Sequence, residues 1–169
     1  MMLHSRIRSL LLVLVVVMTA CKKPPAQPPP PPPSGQPAAA KEAQPTSVSI
    51  TASADVNPDS SQRPSSVVVR IYQLSMDTAF NAAGFFDLFD NEQKTLDKEL
   101  VGKSVEVTLR PGESTTVPNF FVDPYARFLG VIAAYRDIRN AQWKAVMPRP
   151  IPKDVKVTVG KLRVELAAK

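Results

Sequence analysis

Ten prolines crowd into the 25 residues Lys22–Thr46 (KKPPAQPPPPPPSGQPAAAKEAQPT), six of them consecutive from Pro28 to Pro33. Proline fixes φ near −65° and lacks an amide N–H, so such a run can enter neither a helix interior nor a central strand. With no large apolar side chain, the segment has nothing to bury either. It reads as an extended tether that spans at most about 75–80 Å, at ~3.1 Å per residue, with Ser34-Gly35 as a flexible joint. The tether confines folding to the residues C-terminal to it and divides the chain into residues 1–20, 21–46 and 47–169. A domain of the last segment's size buries roughly two thirds of its unfolded surface, enough for a core without staples.

Residues 1–20 have the three parts of an export signal. His4, Arg6 and Arg8 form a basic start, and Leu10–Val17 (LLLVLVVV) is an apolar run of eight. That run is far short of the roughly 20 residues that cross a bilayer, so it is expected to be a secretory leader. Met18-Thr19-Ala20-Cys21 then resembles the bacterial lipobox, Leu-(Ala/Ser/Thr)-(Gly/Ala)-Cys, with Met in the first place. The resemblance implies cleavage before Cys21 and acylation of Cys21. One acyl chain binds a membrane marginally, at about 0.8 kcal/mol per buried methylene, so the three chains of such a cysteine make desorption negligible. Lys22, where an Asp would favour the inner membrane, leads to the expectation of an outer-membrane lipoprotein facing the periplasm. In that compartment a spacer is the favoured reading of the tether, over a proline-rich ligand for a peptide-binding module.

Charge and rare residues exclude several functions. The formal net charge of +6 overstates the basicity of the folded part, where 16 Lys and Arg face 14 Asp and Glu. No basic stripe is interleaved with aromatics, so nucleic acid is not expected as a partner. The single Cys and the single His, Cys21 and His4, both precede residue 47. Disulfides, Cys/His zinc sites and His-dependent triads or dyads are thereby excluded from the domain. No catalytic residue, metal ligand or cofactor is assigned, apart from the acyl chains on Cys21.

The remainder reads as short strands. Apolar residues alternate at Val48, Ile50 and Ala52, at Val67, Val69 and Ile71, and at Val105, Val107 and Leu109. Val68, Arg70, Tyr72 and Leu74 form the second face of the second run. Arg110-Pro111-Gly112-Glu113 is a turn, and Thr115, Val117 and Asn119 continue on the next strand. Phe128–Tyr135 (FLGVIAAY) is expected to be a central strand buried on both faces. Trp143–Met147 comes next. Val155, Val157 and Val159 then lead through Gly160-Lys161 into Leu162, Val164 and Leu166 as a hairpin. About eight strands and no disulfide predict an all-β fold, a two-sheet β-sandwich with a small helical insertion.

The insertion is expected between Asp77 and Leu100, where the spacing turns helical. Ala79, Phe80, Ala83, Phe86, Leu88 and Phe89 would fill one apolar face, Gly84 would interrupt it, and Lys94–Leu100 would form a second short helix. The phenylalanine cluster at 80, 85, 86 and 89 reads as core rather than as a ligand pocket. The acidic run Asp87, Asp90, Glu92, Asp97 and Glu99 reads as a solvated face. Between the first two long strands lies Asp55–Ser65 (DVNPDSSQRPS), whose Asn-Pro-Asp and Arg-Pro steps keep it out of the sheet. It is longer than a hairpin needs, and long loops on rigid scaffolds commonly bind partners.

Taken in order, these pieces resemble the outer-membrane lipoproteins of type VI secretion systems, the TssJ family, also called VasD or SciN. The resemblance rests on Asn57-Pro58, on Arg63-Pro64-Ser65 leading into Val68–Leu74 (VVRIYQL), and on Ala79-Phe80 with Phe85–Phe89 (FFDLF). It continues through Leu109–Glu113 (LRPGE), Leu129–Arg136 (LGVIAAYR) and Trp143. It implies a β-sandwich anchored in the outer membrane that binds the periplasmic C-terminal domain of the inner-membrane protein TssM and, through it, TssL. It also implies that much of the contact is carried by the loop between the first two strands, here Asp55–Ser65, with Asn57, Pro58, Asp59, Ser60, Ser61, Gln62 and Arg63 as the partner-binding residues. The proline tether is longer than the family's pattern. A secretin pilot or other assembly lipoprotein, and a periplasmic ligand-binding sandwich, are the rival functions.

Overall fold

The computed structural model describes residues 42–169. In chain order the strands are β1 (Gln44–Pro45), β2 (Ser47–Ala52), β3 (Val67–Leu74), β4 (Val105–Leu109) and β5 (Ser114–Val117). They continue as β6 (Phe121–Val122), β7 (Phe128–Ala133), β8 (Lys144–Pro148), β9 (Asp154–Val159) and β10 (Val164–Ala168). Eight of them form the two sheets of a sandwich, ordered β10-β9-β2-β5 and β4-β3-β7-β8, while β1 and β6 pair separately. All pairs are antiparallel except β2 with β9, which run parallel.

Alternation fixes the register. In the parallel pair Val48 lies beside Val155, Ile50 beside Val157 and Ala52 beside Val159, which puts six apolar side chains on one face. Opposite them, Val69 pairs with both Val107 and Ala133, and Ile71 with Val131. A slip of one residue would turn the whole set to solvent. These residues form the buried core between the sheets, with Val107 half-buried at its margin, and each fully buried Val or Ile contributes about 1.5–3 kcal/mol.

A second core lies on the outer face of β3 and β7. Helices α1 (Thr78–Ala82) and α2 (Phe85–Leu96) cover Tyr72, Leu74 and Ile132 with Phe80, Leu88 and Leu96. β3 and β7 are thus covered on both faces, which accounts for the unbroken apolar run at 128–133. The cover is held by polar ties. Tyr72 donates its hydroxyl to Leu88 O at 3.1 Å, Arg70 Nη1 donates to Phe89 O at 2.7 Å, and Lys144 Nζ donates to three carbonyls at the end of α1.

Several local expectations differ from what is observed. Phe86, expected on the apolar face, is 65% exposed. α2 begins at Phe85, with Asp87 Oδ2 accepting from Gly84 N at 3.1 Å, so Phe85, Leu88 and Phe89 make the inward i, i+3, i+4 stripe. Phe85 and Phe89 stack with centroids 5.2 Å apart, and Phe85 meets Trp143 edge-on. The expected second helix at 94–100 is the end of α2, kinked at Asn91, followed by one 3-10 turn at Asp97–Glu99. Within the acidic run, Glu92 accepts from Ser104 and Arg70, and Glu99 Oε2 accepts from Ala79 N; both carboxylates are structural. Asn119 lies past the end of β5 with φ of +51°, and Leu162 sits in the β9–β10 turn. Finally, Gln44–Pro45 lies within the segment read as tether. It pairs with β6, and Thr46 N donates to Phe120 O at 2.9 Å.

Candidate functional site

The direction of β2 places the loop that leaves its end. Six residues at about 3.3 Å each carry the chain roughly 20 Å, from the end where the tether joins to the opposite end of the sandwich. There the loop from Ser53 to Ser66 meets the β7–β8 connection and the β9–β10 turn.

The base of this loop is built into the domain. Val56 is fully buried in the core, and Asn57 is 3% exposed. Asn57 takes φ of +49°, a left-handed conformation that Asn tolerates better than most residues. Its backbone N–H donates to Lys161 O at 3.0 Å. Its side-chain Nδ2 donates to Ser66 O at 2.7 Å, and its Oδ1 accepts from Arg136 N at 2.7 Å. One buried residue thus joins all three loops, through its side-chain amide and its backbone N–H. Pro58 is buried beside it.

The tip is shaped by Asp59. Its Oδ1 accepts from the N–H groups of Ser61 and Arg63 at 2.8 and 3.0 Å, and its Oδ2 accepts from Arg63 Nε at 2.8 Å. Hydrogen bonds from the Arg63 backbone and guanidinium, ahead of other contributions, hold the Asp59 carboxyl below the usual carboxylate range. Asp59 N also donates to Arg63 O and Asp59 O accepts from Gln62 N, both at 2.9 Å, and Gln62 takes φ of +61°. The result is a closed turn that presents Ser60, Ser61, Gln62 and Arg63 to solvent.

Of the seven loop residues singled out in the sequence, the structure therefore gives Asn57 and Pro58 a shaping position and Asp59 a closing one. The remaining four form the outward surface. Beside the tip runs a groove of about 540 Å³ whose far wall is Arg136, Asp137, Lys161 and Leu162. Sequence reasoning did not include that wall, because only the sheet order brings positions 136 and 161 beside residue 59. Cys21 lies outside the described residues.

The type VI secretion lipoprotein family (VasD, EvfM, TssJ) matches over residues 44–165. The T6SS lipoprotein TssJ1 from Pseudomonas aeruginosa is 36% identical, covering 74% of this chain and 97% of that one, with a TM-score of 0.67. A chain of a structure described as a type VI membrane complex is 28% identical, covering 72% and 96%, with a TM-score of 0.64. A chain of the structure described as the T6SS protein TssM C-terminal domain from EAEC is 27% identical, covering 72% and 99%, with a TM-score of 0.61. No curated protein matches. A family match over most of the chain, joined by a relative of the same fold that is aligned almost end to end, shows that this chain belongs to the type VI secretion lipoprotein family.

Proposed function

We propose that this chain is the outer-membrane anchor of a type VI secretion membrane complex. Acylated Cys21 holds it on the periplasmic face. The loop end of the sandwich binds the periplasmic C-terminal domain of a TssM-type inner-membrane protein and, through it, engages TssL. Its role is architectural rather than catalytic.

The observation that carries this reading is the placement of the two ends. The tether joins at the start of β2 and the preorganised loop leaves from its end. A central strand, bonded on both sides to β5 and β9, thus connects the anchor to the partner surface. Backbone hydrogen bonds along both of its edges resist sliding of that strand when the two ends are pulled apart. Two solved structures support the partner, one described as a type VI membrane complex and one as a TssM C-terminal domain. In the latter, 99% of the matched chain is covered by 72% of this 169-residue chain. A chain of this fold in a structure described by the name TssM supports association of the two.

The test is binding of the mature chain to the periplasmic C-terminal domain of the TssM-type protein from the same organism. It is repeated with Ser60–Arg63 replaced by glycine and serine. Binding lost only in the variant supports both role and site. Binding retained by the variant moves the site elsewhere, and no binding by either returns the secretin-pilot reading. In cells, Cys21→Ser is expected to leave the domain folded but unanchored, with secretion lost.

A further inference from the structure

We propose that the end of the sandwich at which the tether joins is a bilayer-docking face, with Met76, Phe121 and Tyr125 inserting into the membrane interface. The proposal rests on the anchor reading in one respect: the chain N-terminal to this face is taken to lead to the lipid.

Four large apolar side chains are more than half exposed among the described residues, and three of them gather at this end: Met76 at 53%, Phe121 at 52% and Tyr125 at 76%. One set of hydrogen bonds collects them. Phe121 pairs with Pro45, the strand residue next to the tether. Gln73, three residues before Met76, donates from Nε2 to Phe121 O at 2.9 Å and accepts at Oε1 from Asp123 N at 2.7 Å. Asp123 Oδ1 in turn accepts from Tyr125 N at 2.8 Å, and Arg127 N donates to Leu74 O at 2.7 Å. The backbone carrying the three side chains is thus fixed while the side chains face water. Each leaves half or more of its surface open to solvent, and rigid presentation lowers the ordering cost of binding.

The occupant is set by where the chain leads. Cys21 and Gln44 are 23 residues apart in sequence, a span of about 80 Å even when fully extended. A lipid on Cys21 therefore holds this face near the bilayer at an effective concentration on the order of millimolar, at which a patch too weak to bind alone becomes occupied. Phe and Tyr, with an apolar ring and, in Tyr, a polar tip, suit the headgroup boundary. Charge adds little. Arg127, Arg149 and Lys153 near this end are matched in number by Asp77, Asp123 and Asp154, so docking does not require anionic lipid. The opposite end, with Ser60–Arg63, is then presented away from the membrane.

The experiment couples the mature chain, Cys21–Lys169, through the Cys21 thiol to a maleimide lipid in phosphatidylcholine vesicles. Attachment then does not depend on acylation in the cell. Amide exchange is compared with that of the same chain capped at Cys21 by a small maleimide, at equal concentration. The expected result is about tenfold slower exchange in residues 75–77 and 119–127, with residues 57–66 unchanged. The protection should vanish in the variant Met76→Ser, Phe121→Ser, Tyr125→Ser, whose changes lie at exposed positions. Unchanged exchange on the vesicles overturns the proposal. Equal protection in the capped, lipid-free chain assigns the face to a second copy and also overturns it. Whether Cys21 is acylated in the cell is read separately by mass spectrometry, and a negative answer there would sink the anchor reading alone.

Discussion

The side-chain carbonyl of Asn57 accepts the backbone N–H of Arg136 at 2.7 Å, across 79 residues of sequence, while its amide nitrogen donates to Ser66 O. Asn57 itself is buried, and Asn57→Ala removes both bonds as well as forcing Ala into a left-handed backbone. Each lost bond costs about 0.5–1.5 kcal/mol and a left-handed Ala about 1–2 kcal/mol, so a loss of roughly 2–4 kcal/mol is expected. It should appear as a lower urea midpoint at unchanged slope. Arg63→Ala, at the exposed tip, should leave the midpoint where it is while weakening partner binding. If Asn57→Ala left stability intact, the latch would be unimportant.

Gly130 is the seat of the Phe80 ring. A Cβ at that position would lie 2.9 Å from two ring carbons of Phe80 and 3.2 Å from a Leu74 methyl. Phe80 and Leu74 are both fully buried and have nowhere to move. Gly130→Ala is therefore expected to destabilise the domain by about 1–3 kcal/mol, through overpacking of the second core. The double variant Gly130→Ala, Phe80→Leu should recover part of that loss, as thermal unfolding would report. An equal or greater loss in the double variant would place the clash elsewhere.

How much of this is legible in the sequence depends on whether the determining interaction is local. The alternation of Val48, Ile50 and Ala52 is local, and the strand and its inward face come directly from it. The two-sided burial of β7 is equally plain from its unbroken apolar run. The parallel pairing of β2 with β9 is not, because nothing near Val48 names Val155 as its neighbour. Phe86 is misplaced by the sequence pattern for a different reason. Two adjacent phenylalanines leave the helical phase ambiguous by one residue, and the Gly84–Asp87 cap decides it. At the site, composition marks the loop but does not tell Asn57 from Gln62. Burial of the former depends on Arg136 and Lys161, which only the fold brings there.

Arg70 fastens the helical cover to the sheet. Its guanidinium meets Phe89 O at 2.7 Å, Glu106 at 2.6 Å and Glu92 at 3.4 Å, and lies 4.5 Å from the centre of the Phe89 ring. Its side chain is 15% exposed, so these contacts are only partly screened. Arg70→Ala should cost about 1–3 kcal/mol, and Arg70→Lys should recover less than half, since an ammonium cannot serve three directions in one plane. Amide exchange in Phe85–Leu96 is expected to rise more than in β2. Uniform acceleration across the domain would argue against a local fastening.

Alkaline stability should report the two buried tyrosines. Burial pushes the phenols of Tyr72 and Tyr135 well above the ordinary tyrosine range. Each donates its proton to a carbonyl, Tyr72 to Leu88 O and Tyr135 to Gly160 O, both at 3.1 Å. The folded pKa of each lies above the unfolded value near 10, so the folded state keeps a proton that the unfolded chain releases. Their contribution is fully present below pH of about 10 and falls as pH rises towards the folded pKa, by up to about 1.4 kcal/mol per pH unit for each. Tyr72→Phe with Tyr135→Phe should cost about 1 kcal/mol per lost hydroxyl at neutral pH, yet flatten the decline measured by urea unfolding from pH of about 9.5 to about 11.5. A double variant that loses stability as steeply as the parent over that interval would show that lysines, not these phenols, govern alkaline unfolding.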